Sequence, residues 1–324
     1  MLHKSSLPSM ITRRSVRIKT MQYIYAHETT QQLPPSHFIS HLEKSILSVK
    51  EQYLFLLLQI REIANYVEQD AKIKASKYIK TDKDKNFNTK LLSNVLIQFL
   101  NNNKEFENEL SKAKTATLLE EEEIRRLYKN LFASSNYQDY LSNGKEFNVE
   151  EDKKIVSFIL NTILLEDDIF NSNMEEIFTN WIDDAEYVVE AVQEVIQKSK
   201  NELKLHLEKG SLQEKFKELT QFGIDLFTET TQSKVAHSTL ITPKLKNWDA
   251  DRLAIIDIIL IRMAVAEFLA FPSIPTKVTI NEYLDIAKEY STTKSKDFIN
   301  GVLDAIMKDL KKNNQLNKTG RGLL

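Results

Sequence analysis

Residues 253–271 read LAIIDIILIRMAVAEFLAF, and this stretch decides the fold class. It is long, apolar and free of Gly and Pro, yet Asp257, Arg262 and Glu267 interrupt it. A membrane span needs about 20 predominantly apolar residues, so the pattern reads as a buried core helix instead. The shorter apolar run Tyr53–Leu58 is far below spanning length, and the N-terminus shows no continuous apolar signal region.

The rest of the chain agrees with a helical reading. Six glycines and six prolines in 324 residues are too few for the turn-rich parallel α/β and β-sandwich classes, whereas helix bundles need few. Hydrophobic residues make up 42% and charged residues 28%, enough for a normal core. The length suggests about two domains. There is no cysteine, which excludes disulfides and Cys-ligated zinc and fits a reducing cytoplasm.

Working outward, a helix starts after Thr12, with Ile18, Met21 and Tyr25 on a core face, and Pro34-Pro35 stops it. A long amphipathic helix is expected over 36–76, then helices near 89–101, 103–115, 118–133, 149–165 and 173–208. Ser134–Gly144 reads as a turn-rich connection. Gly210 closes the long helix, and Ser211-Leu212-Gln213-Glu214 is a capping-box pattern. Further helices fit 212–231, 233–247, 250–270, 277–290 and 294–311. The apolar stripe Tyr53, Leu54, Leu57, Leu58 and Ile60 needs a covering surface, from this chain or another. The expected division is a flexible basic arm (1–11), a first helix (12–35), a helical insertion (36–210), a main helical domain (211–311) and a disordered tail (312–324).

Catalytic signals are missing. No glycine stands in a P-loop or dinucleotide pattern, and no G-x-S-x-G elbow exists. His37 and His41 share a helix face, but two ligands without a third do not make a metal site. Paired acids such as Asp167-Asp168 and Asp183-Asp184 read as solvated or helix-end charges. No enzyme activity, cofactor or metal is expected.

The formal net charge of −2 gives no bulk attraction to nucleic acid, but the charge is uneven. Residues 1–20 carry Lys4, Arg13, Arg14, Arg17 and Lys19 and no acid, while the interior holds acidic runs such as Glu120–Glu123 and Glu166–Asp168. A basic end on a near-neutral chain is a local footprint for phosphate, which Arg grips with a bidentate fork. The same cluster also fits a solvated helix start.

A second informative run lies near the other end. After Asp257, Arg262 and Glu267 come Ile274-Pro275, Lys277-Val278, Ile280-Asn281-Glu282 and Asp285-Ile286-Ala287-Lys288. Lys294-Ser295-Lys296-Asp297-Phe298-Ile299-Asn300-Gly301-Val302-Leu303-Asp304 follows. In order and spacing this series resembles the NusB family. The Thr12-Arg13-Arg14 helix with Met21-Gln22 and Tyr25-Ala26 resembles that family's opening helix, Phe222–Lys246 its middle helices, and Met10 stands where many members begin. Residues 36–210 have no counterpart in short members. Asp297 and Ile258 replace common basic residues, and Tyr283 replaces a small one.

The resemblance implies an all-α NusB-like bundle with an added helical insertion. It further implies a cytoplasmic transcription antitermination factor that binds boxA-type single-stranded RNA. It would do so together with NusE, a small-subunit ribosomal protein, in a complex on RNA polymerase that supports ribosomal RNA transcription. Single-stranded RNA is held by cations along its backbone and aromatics under splayed bases. Arg13, Arg14, Arg17, Lys19, Lys294 and Lys296 are candidates for the first, and Phe298 for the second. Phe298 is equally spaced as core with Val302 and Ala305. Gly301 either permits a close helix approach or keeps room for a ligand. Asn281 and Asn300 either satisfy buried backbone or touch RNA. Arg262 and Glu267 suit internal charge contacts, and the family places an acid at Asp257 on the NusE surface. A helical protein–protein scaffold, or a module positioning a separate ribosomal RNA modification enzyme, is the alternative.

Overall fold

A computed structural model describes residues 10–30, 32–76, 78, 88–142, 148–198, 203, 205, 211–245 and 254–323. Among them every regular element is helical and none is a strand. Of the arm expected over 1–11, residues 1–9 lie outside the described residues, as does Gly210, while Met10 and Ile11 are buried.

The helices are α1 (Arg13–Thr29), α2 (Pro35–Ser76), α3 (Val95–Asn102), α4 (Lys104–Ala113), α5 (Glu121–Ala133), α6 (Ser135–Ser142) and α7 (Val149–Phe158). They continue as α8 (Asp168–Ile177), α9 (Trp181–Gln197), α10 (Ser211–Gln232), α11 (Lys234–Ile241), α12 (Ile255–Ala270), α13 (Thr276–Tyr290) and α14 (Ser295–Lys312). Two compact units emerge. One comprises Met1–Ile11 and Leu47–Glu214, the other Thr12–Ile46 and Lys215–Leu324.

In the first unit the apolar stripe of α2 is fully covered within the chain: Tyr53, Leu54, Leu57, Leu58 and Ile60 are all buried. The Tyr53 hydroxyl, sealed from water, donates to the Leu205 carbonyl at 3.1 Å. Asn94, Asn103, Asn148 and Asp167 cap α3, α4, α7 and α8 through their side-chain oxygens. After α7 the chain continues as a π-helical turn, Ile159–Leu164, in which Leu165 N–H reaches the Leu160 carbonyl.

Three local readings differ from the sequence expectation. The helix expected over 173–208 is broken at 178–180 between α8 and α9, where Trp181 N–H bonds the Phe178 carbonyl in a tight turn. The expected connection over 134–144 contains α6, because Tyr137 and Tyr140 bury one face of it. The helix expected over 233–247 ends at Ile241. Pro243, lacking an N–H, instead sits in a short 3-10 turn over Thr242–Lys244.

In the second unit α12 is the central element. Nearly all of its residues from Asp257 to Phe268 are buried, with α1, α11, α13 and α14 packed around it. Gly223 on α10 lets α1 come close: a Cβ there would stand 2.9 Å from Val16 Cγ1. Where a disordered tail was expected, Lys318 donates to the carbonyls of Glu267 (3.1 Å) and Phe271 (3.0 Å), capping the end of α12. Thr319 N–H adds a bond to the Pro272 carbonyl.

Candidate nucleic-acid interface

The basic start of α1 is a pre-ordered element. Thr12 and Ser15 cap each other: Ser15 N–H donates to Thr12 Oγ1 at 3.1 Å and Thr12 N–H to Ser15 Oγ at 3.0 Å. This fixes the first turn, and with it Arg13, Arg14 and Arg17.

The three arginines meet different fates. Arg17 is an interior residue. Its Nε and Nη2 grip Glu267 at 2.9 and 2.8 Å, and its Nη1 lies 3.5 Å from Glu282. Its guanidinium also lies over the rings of Phe222 (5.4 Å) and Tyr283 (5.8 Å). Thr279 and Tyr283 donate their hydroxyls to the same Glu267 carboxylate. Burial works against the charge on Arg17, but the hydrogen bonds and charge of Glu267 outweigh it, so its pKa rises above the ordinary arginine value. Tyr283, the departure from the family pattern, is thus part of the clamp. Burial and the Glu267 charge push its hydroxyl pKa well up.

Arg14 is 36% exposed; its Nε and Nη2 bond Glu282 at 3.0 and 3.2 Å, and Nη2 also reaches Asp285 at 3.0 Å. Arg13 is more open, pairs with Glu218 at 2.7 Å and lies 5.5 Å from the Phe222 ring centre. Arg13 and Arg14 therefore lie side by side at the helix start, tied to α10 by an exposed ion pair and to α13 by part-buried ones. Lys294 and Lys296 are exposed at the start of α14, and the ion pairs that tie down the arginines do not include them.

Four of the expected site residues are buried. Arg17 and Lys19 are interior, and Phe298 is only 3% exposed, packed as core with Val302 on the inner face of α14. None of the three presents a surface to RNA in this structure. Asp257, expected at a partner surface, is 4% exposed and accepts from the hydroxyls of Ser291 and Ser295, the latter at 2.8 Å. The Lys294-Ser295 motif thus ties α12 to the α13–α14 turn. Arg262 is buried and pairs with Glu28 on α1. Asn281, Asn300 and Gly301 are exposed, and among the described residues nothing lies within 4 Å of a Cβ placed on Gly301. The counter-ions Glu218, Glu282 and Asp285 escaped the sequence reading, as did Phe222. Glu282 and Asp285 stood in the quoted motifs, but nothing in the sequence paired them with the arginines.

Fold and site define an all-helical protein whose basic helix start is locked onto a buried core helix by ion pairs. Within this longer chain the family model described as NusB family matches residues 172–308. The match begins inside the stretch expected as an insertion and leaves α1 outside. Three proteins named transcription antitermination protein NusB are similar to this chain. That of Salinibacter ruber (strain DSM 13855 / M31) is 46% identical over 103 residues, 32% of this chain and 64% of that protein. That of Chloroherpeton thalassium (strain ATCC 35110 / GB-78) is 49% identical over 86 residues, 26% and 41% of the respective chains. That of Koribacter versatilis (strain Ellin345) is 40% identical over 93 residues, 29% and 64%. The chain thus spans less than two thirds of the length of each. No solved structure matches. Among the described residues no helix is long and apolar enough to cross a membrane.

Proposed function

We propose that the chain is a non-enzymatic transcription antitermination factor that binds boxA-type single-stranded RNA, with NusE as its protein partner. The family domain and the names of its relatives support the antitermination role. The observation that carries the RNA reading is the edge of Arg13 and Arg14, two accessible guanidinium groups on one capped helix start. Such a pair matches successive backbone phosphates and costs little ordering entropy on binding. Lys294 and Lys296 supply further cations on the exposed start of α14. Arg17 supports this edge through Glu282, which it shares with Arg14, and Lys19 is buried.

The test is binding of boxA-like and scrambled RNA to the full chain and to an Arg13→Ala/Arg14→Ala variant across a salt series. Each phosphate neutralised on a single strand adds a slope of about −0.7 in log affinity against log salt. Loss of both contacts flattens the slope by roughly 1.4 and weakens both RNAs alike. Wild-type affinity and slope in the folded variant would reduce the cluster to a solvated helix start. NusE binding without RNA binding would favour the scaffold alternative.

A further inference from the structure

Glu282 and Asp285 do not enter the RNA reading, yet they already occupy Arg14, one of the two arginines that carry it. The two acids hold Arg14 differently. Glu282 bridges Arg14 and the interior Arg17, so it is built into the clamp around Glu267. Asp285 touches the Arg14 Nη2 with one oxygen, at 3.0 Å, and takes Lys288 Nζ on the other. Its carboxyl is held below the usual carboxylate range, chiefly by the Lys288 hydrogen bond and with help from Arg14, so it is a full anion at neutral pH. A carboxylate on a guanidinium edge presents the same acceptor chemistry as a phosphate. If Arg14 turns to another anion, Asp285 keeps Lys288 as counter-ion and is not left stranded. Both Arg14 and Asp285 are about one third exposed, and such pairs are weak.

From this we infer that Asp285 is an internal competitor for RNA phosphate. It occupies Arg14 Nη2, which it shares with Glu282, in the free protein and yields it on binding, while Glu282 keeps the guanidinium in place. The competitor holds Arg14 ordered and lowers its affinity for any isolated anion. An RNA that engages several cations at once therefore gains over a single phosphate group. Glu218 stands in the same relation to Arg13, joined by one exposed contact at 2.7 Å.

The inference rests on the RNA reading of this edge, and a double-mutant cycle separates the two. Affinity for a short boxA-type single-stranded RNA is measured for wild type, Asp285→Asn, Arg14→Ala and the double variant. Asp304→Asn is the charge control: the Asp304 side chain is 44% exposed and, among the described residues, its ion pair is with Lys308. Thermal denaturation verifies that each variant is folded. Asp285→Asn is expected to tighten binding by up to about five-fold, the ceiling for releasing an exposed pair. The gain is expected to vanish when Arg14 is alanine and to exceed that of Asp304→Asn. An equal gain in both backgrounds, or one matched by Asp304→Asn, makes the effect net charge alone and overturns the competitor while the RNA reading stands. Weaker binding by Asp285→Asn also overturns it, because Asp285 would then be helping Arg14 bind. If Arg14→Ala itself changes nothing, the RNA reading of this edge fails and the competitor falls with it.

Discussion

Arg17 and Glu267 meet as a bidentate pair in the interior, Nη2 to Oε1 at 2.8 Å and Nε to Oε2 at 2.9 Å, with side chains 3% and 0% exposed. Thr279 and Tyr283 complete the carboxylate's hydrogen bonds, which is the condition under which a buried pair holds rather than strains a fold. Removing one partner leaves the other charge buried alone. Glu267→Ala is therefore expected to cost about 3–5 kcal/mol, read as a lowered urea midpoint at unchanged m-value. An unshifted midpoint would mean that water reaches Arg17 freely.

Asp257 calls for a different experiment from the one its sequence position suggests. As a surface acid, Asp257→Lys would alter partner affinity and leave the fold alone. As a buried acceptor for Ser291 and Ser295, it holds the α13–α14 turn against α12. Asp257→Ala removes the charged acceptor shared by two hydroxyls, which keep only each other and Thr292, and is expected to cost about 1–3 kcal/mol. Ser295→Ala in the same background should add less than it costs alone, since the two share one interaction. Additive losses in urea denaturation would show that the contact contributes nothing.

The helical class, the α12 core and the positions of the basic residues were legible because each depends on local pattern: apolar spacing, Gly and Pro scarcity, and a Thr cap. The breaks at 178–180 and at Pro243 are local too, yet apolar periodicity on both sides hid the first, and a single proline was outweighed in reading the second. The state of the arginines was not legible. Arg13 meets Glu218, 205 positions away, and Arg14 meets Glu282, 268 positions away. Nothing in a helix start announces counter-ions brought by tertiary packing. The burial of Asp257 and Phe298 was not legible for a related reason: a motif marks a position as constrained, and a constraint from packing looks the same as one from binding.

His237 on α11 is buried, with neither ring nitrogen hydrogen-bonded. Its Nε2 lies 3.7 Å from Glu229. Burial lowers its pKa, Glu229 opposes this and Arg262 adds to it, leaving the folded value below the ordinary one. Below about pH 6.5 the unfolded chain therefore binds more protons than the folded one, and stability falls as pH falls. Above that pH both states are neutral at this site and it contributes no slope. His237→Leu should shrink the loss of stability between about pH 7.5 and about pH 5.5 relative to wild type. An identical loss in both proteins, measured by urea denaturation, would take His237 out of the pH response.

Phe298 and Gly301 stand three residues apart on α14 and should respond in opposite senses. The Phe298 ring is packed as core, so Phe298→Ala opens a cavity and is expected to cost about 3–5 kcal/mol. Apparent loss of RNA binding in that variant would follow from unfolding alone. Phe298→Leu keeps most of the volume and should stay folded with RNA affinity unchanged; a clear affinity loss in folded Phe298→Leu would return the ring to the RNA site. Gly301 faces open space, where a methyl group meets nothing within 4 Å. A helix-interior glycine is worse than alanine by about 1 kcal/mol, so Gly301→Ala should raise the melting temperature by a few degrees. If it destabilises the chain instead, the helix at Gly301 is not in the relaxed, open setting that the structure gives it.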